Sequence, residues 1–137
     1  MSSESEGTFI RLKAILQRHQ DDLVISDDTP RRYCLEGPVG PATVRAWGNK
    51  VKRPLIPVAW VEIGKSGVSY HLMGIYGNSK LAKGMSKPLR MHLSGKTCFR
   101  FRGADDASMA QELEQLTVQA LTAFRAAGFI TKSRSAS

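Results

Sequence analysis

Two histidines and a cysteine lie in one stretch of the chain, Val68–Arg102, together with many of its positive charges. Imidazole and thiol groups can bind metals, hydrogen-bond a ligand, or serve as a base and a nucleophile. His71, His92 and Cys98 are therefore the first candidates for chemistry. Their spacing, with twenty and then five intervening residues, matches no zinc motif built on close cysteine or histidine pairs. We therefore predict neither a metal nor a cofactor.

A thiol–imidazole pair between Cys98 and either histidine is an open alternative. Lys96 and Arg100 stand close to the cysteine in sequence, and positive charges favour a thiolate. The sequence indicates no third residue that would orient the imidazole and no oxyanion donor. We therefore favour a half-buried strand cysteine over a nucleophile, and a binding domain over an enzyme.

Positive charge is concentrated in the middle of the chain. The formal net charge is +8, and residues 45–102 contain twelve basic residues and a single acid, Glu62. Such asymmetry favours an anionic partner, which could be nucleic acid, a phosphorylated metabolite or an acidic protein surface. Lysines that only solubilise loops would give the same composition.

The length of 137 residues suits one domain. We expect short disordered tails over residues 1–7 and 131–137, which are small and polar, and a single domain over residues 8–130. The N-terminus has no apolar signal segment, and no apolar run approaches the ~20 residues of a membrane span. Two cysteines are too few for a disulfide framework, so we expect a cytoplasmic protein with reduced thiols.

Hydrophobic periodicity predicts two helices and several strands. The helices cover residues 8–20, capped by Thr8, and about 105–127, capped by Asp105 or Asp106 and ended by Gly128. Alternation predicts strands over Ala42–Trp47, Val58–Ile63, Val68–Met73 and Thr97–Arg102, and it allows an edge strand over Arg31–Leu35. We therefore predict an α+β fold, in which an antiparallel sheet of four to five strands packs against the N-terminal helix and the long C-terminal helix.

Strand parity then divides the side chains between two faces of the sheet, because successive residues point to opposite sides. The apolar set would face the helices: Val44, Val61, Val68, Tyr70, Leu72, Phe99 and Phe101. The other face would carry Arg45, Trp47, Trp60, Glu62, His71, Arg100 and Arg102. Tryptophan and arginine dominate binding hot spots, which favours a binding surface. The alternative is a curled sheet with both faces in the core.

Three segments resemble the YdhG-like proteins, a family of small bacterial domains mostly of unknown function. They are VSYHLMGIY (68–76), GKTCFRF (95–101) with the leucines before it, and ELEQLTVQALTAF (112–124). The resemblance covers residues 58–130 and implies an α+β fold with flanking helices. It also implies an alternative function, since some members are described as frataxin-like iron chaperones. That role uses a carboxylate ridge, whereas the helix over residues 8–20 carries Arg11, Lys13 and Arg18.

We predict a non-enzymatic binding domain for a small anionic ligand or an acidic partner. The ligand would lie between the sheet and the segment 74–96. The expected site contains His71 and Tyr76 as hydrogen-bonding groups, Trp60 as an apolar wall, and Lys96 and Arg100 as charge partners. Single-stranded nucleic-acid binding, by stacking on Trp47, Trp60 or Tyr70, is a second interpretation. The oligomeric state is left open.

Overall fold

The structure is a computed structural model that describes residues 3–20, 23–48, 54–65, 67–75, 79–95, 97–101 and 107–131. The strands are β1 (Val24–Thr29), β2 (Arg32–Pro38), β3 (Leu55–Gly64), β4 (Gly67–Leu72), β5 (Leu93–Ser94) and β6 (Cys98–Phe101). The helices are α1 (Ser3–Arg18), α2 (Pro41–Trp47), α3 (Ser79–Gly84), α4 (Lys87–Arg90) and α5 (Ala107–Ala126), with a 3-10 turn at Met73–Ile75.

The described strands form one antiparallel sheet in the order β1-β2-β3-β4-β6-β5. The predicted α+β class with an antiparallel sheet is therefore confirmed. The described sheet has six strands rather than four to five. The predicted edge strand at Arg31–Leu35 is β2, but β1 pairs outside it, and the two-residue β5 is added at the far edge. In the part of the chain that the structure describes, no helix is both long and apolar enough to span a bilayer.

The helices α1 and α5 cover one face of the sheet and form the main core with it. The predicted inner residues of β3, β4 and β6 are all at most 2% exposed: Val61, Val68, Tyr70, Leu72, Phe99 and Phe101. Parity therefore predicted this face correctly. The Tyr70 hydroxyl is 2.7 Å from the Thr117 hydroxyl of α5, which in turn donates to the Leu113 carbonyl oxygen. This bond satisfies two polar groups inside the core.

An ion cluster joins the end of α1 to α5. The Arg18 guanidinium donates two hydrogen bonds of 2.7 Å to the carboxylate oxygens of Glu114, and His19 Nε2 lies 2.9 Å from the same carboxylate. These bonds, with that of Arg18 the main cause, lower the pKa of Glu114 to about 2. The bidentate geometry fixes the two helices relative to each other.

The first helix begins earlier than predicted. Thr8 is not a cap but a buried residue within α1, and Ser5 is buried one turn before it. Ser5 and Thr8 continue the buried stripe of Phe9 and Leu12 with small polar side chains, so apolar periodicity alone ends too late. Part of the predicted N-terminal tail, from Ser3 onward, is thus helical, whereas residues 1–2 and 132–137 lie outside the described residues.

The strand predicted at Ala42–Trp47 is wrong, because this segment is the helix α2. Pro41 occupies the first turn of the helix, where its fixed φ is favourable and its missing N–H costs little. The Thr43 hydroxyl donates to the Phe129 carbonyl oxygen at 2.6 Å, which ties α2 to the chain after α5. Val44, expected in the core, is exposed. Six alternating residues are too few to distinguish a strand from a short helix.

The long C-terminal helix is confirmed, with Leu113, Leu116, Ala120 and Phe124 buried. Its expected caps, Asp105 and Asp106, lie outside the described residues. Gly128 follows the helix with φ +85°, the left-handed conformation predicted for its terminator. A Cβ on Gly40 would lie 2.2 Å from the Gly128 carbonyl oxygen, so the chain after α5 packs directly on the start of α2.

Candidate binding site on the outer sheet face

The face of the sheet opposite α1 and α5, which we call the outer sheet face, carries two rows of side chains. The outer row crosses β2, β3, β4 and β6 and consists of Cys34, Trp60, His71 and Cys98. The charged row crosses the same strands and consists of Arg32, Glu62, Ser69 and Arg100. Residues paired directly across antiparallel strands have Cβ atoms about 5 Å apart. Members of each row are therefore close neighbours.

The hairpin between β3 and β4 fixes the centre of both rows. Gly64 pairs with Gly67, and Gly67 has φ +127°, a backbone conformation that residues other than glycine rarely adopt. This tight connection sets the register, so Trp60 must lie opposite His71 and Glu62 opposite Ser69. A slip by one residue would turn the core residues of β4 to the outside. Burial of the inner face therefore also fixes which side chains are neighbours on the outer sheet face.

His71 lies between an aromatic ring and a thiol. Its imidazole stacks on the Trp60 indole with a centroid distance of 4.4 Å and an interplanar angle of 11°. Its Nε2 is 3.6 Å from Cys98 Sγ on the neighbouring strand. The stack fixes the plane of the imidazole and so directs Nε2 at the sulfur. The Cys98 side chain is half-buried.

The two arginines of the charged row differ in their partners. Arg32 donates to the Asp27 carboxylate at 2.9 Å and lies 3.9 Å from Glu62. The hydrogen bond to Asp27 is the main cause that raises the pKa of Arg32. Arg100 is exposed, and among the described residues its guanidinium has no hydrogen bond or ion pair. The positive charge of the outer sheet face is thus available at the β6 end and neutralised at the β2 end.

The electrostatic surroundings of His71 favour a neutral imidazole. Burial is the largest cause that lowers the pKa of His71 below its usual range. Glu62 opposes this shift, whereas Arg100 and Arg32 add to it because a second positive charge is unfavourable near a cation. A neutral ring keeps one nitrogen as an acceptor and one as a donor. His71 can therefore accept a proton from a neighbour at pH 7.

The structure brings together Trp60, His71 and Arg100 of the predicted site. Tyr76 and Lys96 lie outside the described residues, as does Arg102. Two residues expected on this face are on α2 instead: Arg45 is exposed there, and Trp47 contacts Phe129 with a centroid distance of 6.4 Å. Their placement follows from the failed strand prediction.

The second candidate histidine is separate from Cys98. His92 stacks on Phe101, with a centroid distance of 4.7 Å, and its Nδ1 lies 2.9 Å from the Arg100 carbonyl oxygen. It therefore supports the β5–β6 edge. Across the described ranges, no three His, Cys, Asp or Glu side chains are grouped so that they could hold a metal ion.

Much of the central positive charge lies on the helical side of the molecule. Lys80, Lys83, Lys87 and Arg90 are exposed on α3 and α4, which pack against α5. A cavity of about 330 Å³ between α3 and α5 is lined by Lys80, Met85 and Glu112 among others. A second cavity, of about 480 Å³, lies between α1 and the β1–β2 turn. Neither is lined by Trp60, His71 or Arg100.

Two features of the outer sheet face were missed from the sequence. Ser69 places a hydroxyl between Glu62 and Arg100, and Asp27 pairs with Arg32 from the neighbouring strand. The hairpin glycines could have revealed Ser69, because counting back from Gly64 and forward from Gly67 pairs it with Glu62. No comparable signal existed for Asp27, since the β1–β2 register contains an irregularity between Ile25 and Asp27.

No family model, no curated protein and no solved structure matches the chain. The resemblance to the YdhG-like proteins stays a prediction, based on the segments quoted above.

Proposed function

We propose that the protein binds a small anionic ligand at the β6 end of the outer sheet face. Arg100 is the charge partner, His71 is a hydrogen-bonding group and Trp60 forms an apolar wall. Tyr76 and Lys96 remain predicted members of this site. The proposed role is binding rather than catalysis, and an acidic protein surface is the alternative partner.

One observation carries the proposal: Arg100 is exposed and without an ion pair among the described residues, beside a neutral imidazole and a serine hydroxyl. A guanidinium offers donors in a planar fork that suits carboxylate and phosphate groups. Ser69 and the imidazole can add neutral hydrogen bonds. Arg32 cannot serve in the same way, because Asp27 already occupies its guanidinium.

The aromatic pair favours a small ligand over single-stranded nucleic acid. Proteins bind single strands by stacking the nucleic-acid bases on exposed faces of aromatic side chains. Trp60 and His71 stack on each other, so each ring already uses one face. The frataxin-like role has less support still, since a hard cation needs several oxygen ligands and the described part of the chain has no metal-holding cluster.

Titration with inorganic phosphate and with citrate at low salt tests the proposal. The signals of the Arg100 guanidinium and the His71 ring are followed by NMR. Arg100→Gln should weaken binding by about tenfold, because it removes a charged hydrogen bond. Arg45→Gln removes the same charge from α2 and should leave binding unchanged. Equal affinities of the two variants, or no shift of the Arg100 and His71 signals with either anion, would refute the site.

A further inference from the structure

Cys98 lies in a cluster that combines its thiol with a base, His71, and a cation, Arg100. Its sulfur is 3.6 Å from the His71 imidazole, and the ring is held by Trp60. Arg100 lies two residues further along the same strand and therefore on the same face, about 7 Å away between Cα atoms. A base, a thiol and a cation that has no ion pair among the described residues thus lie close together on a half-buried surface.

We propose that Cys98 is a nucleophilic thiol whose base is His71, and that its substrate is a small disulfide bearing carboxylates, held by Arg100. The inference rests on the proposed anion site and names the ligand class of that site.

The reaction is a thiol–disulfide exchange. His71 Nε2 takes the proton from Cys98 Sγ as the sulfur attacks one sulfur of the bound disulfide. A new bond forms between Cys98 and that sulfur, and the disulfide bond of the ligand breaks. The departing thiolate takes the proton back from the imidazolium. The products are a mixed disulfide on Cys98 and one small thiol, so atoms, protons and electrons balance without a further oxidant.

The surroundings favour exchange at sulfur over attack on a carbonyl group. Acyl transfer requires donors that stabilise a developing oxyanion. Strands β4 and β6 are interior in the sheet order, and near the cluster the N–H of Arg100 donates to the His92 carbonyl oxygen and that of Leu72 to the Thr97 carbonyl oxygen. Disulfide exchange needs no oxyanion donor, because the leaving charge resides on sulfur.

His71 can act as the base because its environment keeps the ring neutral. Among the described residues, the charged groups that act on it are Glu62 on β3, Arg32 on β2 and Arg100 on β6, and burial is the largest cause of its lowered pKa. The neutral ring therefore persists below its ordinary pKa of about 6.5. Because its pKa is lowered, the His71 imidazolium also gives the proton readily to the leaving thiolate.

The first test measures the rate at which Cys98 forms a mixed disulfide with glutathione disulfide, which carries carboxylates, and with cystamine, which is cationic. Peptide mass spectrometry locates the modification. Wild type should prefer glutathione disulfide, and Arg100→Gln should reduce the ratio of the two rates by about threefold or more at low salt. Arg45→Gln is the matched control and should keep the wild-type ratio.

The second test concerns the base. His71→Gln should slow exchange with both disulfides by about tenfold or more, because general-base effects of ~10²–10⁴-fold are partly masked by the reaction of the free thiolate. The pH profile of wild type provides a readout that does not depend on folding of this variant. With His71 as base, the rate of Cys98 stays level from pH 7.5 to below 6.5. A thiol that reacts only as free thiolate instead loses about tenfold per pH unit, and that profile would overturn the assignment of His71.

The outcomes separate this inference from the proposed function. Fast exchange at Cys98 with a level pH profile, but with a rate ratio that Arg100→Gln does not change, supports the thiol–imidazole pair and overturns Arg100 as the anion partner. Binding of phosphate at Arg100 with an inert Cys98 leaves the anion site standing and overturns the inference.

Discussion

The two ends of the outer row carry the same residue in different surroundings. Cys34 on β2 is only 1% exposed, and burial is the main cause that raises the pKa of its thiol. Cys98 on β6 is half-buried and has an imidazole nitrogen 3.6 Å from its sulfur. Both side chains point to the same face of one sheet. Strand parity therefore determines which face a cysteine occupies, whereas the groups that cover it and its nearest neighbours determine its reactivity.

The largest expected difference between Cys98 and Cys34 is in the accessibility of their thiols to an alkylating reagent. Under native conditions at pH 7.5, iodoacetamide should modify Cys98 about a thousandfold or more faster than Cys34, because a buried thiol reacts only after the fold opens. Peptide mass spectrometry over time measures both rates in one sample. In denaturing urea the two rates should converge. Comparable rates in the folded protein would remove the distinction between the two ends.

Trp60, at the centre of the outer row, should influence the reactivity of both cysteines. Trp60→Ala should destabilise the protein by about 2 kcal/mol, as expected for a large side chain that is partly buried. It should also slow the modification of Cys98, because the imidazole loses the ring that orients it, and accelerate that of Cys34. Urea unfolding and alkylation rates measure the three effects.

Trp47→Ala is the control for this change, since Trp47 is exposed on α2 and is absent from the outer row. It should leave the ratio of the two alkylation rates unchanged. An equal change in that ratio for both tryptophans would show that the effect is global.

The ion pair of Glu114 with Arg18, which lies beneath the sheet, should make the stability of the protein depend on pH. Glu114 has its pKa lowered to about 2 in the folded protein, chiefly by its hydrogen bond to Arg18, from an ordinary value of 4.5. Its stabilising contribution is therefore complete above pH 4.5 and is lost as the pH falls from 4.5 towards 2. We expect about 1–2 kcal/mol of the free energy of unfolding to disappear in this window, a value reduced by solvent screening.

Glu114→Gln should abolish this pH dependence and destabilise the protein at pH 7. Modification of Cys34, which requires opening of the fold, should then accelerate, while that of Cys98 stays constant. Urea unfolding across the pH range, combined with alkylation at pH 7.5, measures both effects. A faster reaction at Cys98 would indicate that its accessibility also depends on opening.

The smallest effect concerns the charge around His71. Arg100→Gln should raise the pKa of His71, because it removes a neighbouring positive charge. Glu62→Gln should lower it, since Glu62 has the opposite influence. NMR titration of the ring protons measures both values, with Arg45→Gln as control. Shifts of the same sign in the two variants would contradict the charged row as the source of these influences.

The sequence predicted the hairpin and the buried face well, for a local reason. Only residues 64–67 separate the two predicted strands, which obliges them to pair, and the glycines at both ends of this segment permit the tight connection. The register then follows by counting, which places Trp60 beside His71. The apolar alternation of β3, β4 and β6 fixes which side is buried.

The sequence failed where the decision was not local. Ala42–Trp47 alternates like a strand, but packing against the chain after α5 holds it as α2. The pairing of His71 with Cys98 required β6, rather than β5, to lie beside β4. Both strands follow the same connecting segment, so order along the chain does not decide between them. The ion pair of Asp27 with Arg32 depends in the same way on an irregular register.

For β3, β4 and β6, the amino-acid sequence was enough to tell which side chains share a face, because the two-residue period of a strand is a property of the backbone. Which of these side chains touch, and which are covered, depends on how the strands and helices pack together. The tertiary structure placed β6 beside β4, so that a thiol meets an imidazole, and it buried Cys34 at the opposite end of the same row. These outcomes depend on contacts between residues far apart in the chain, whose free energies arise only when the whole sheet is assembled.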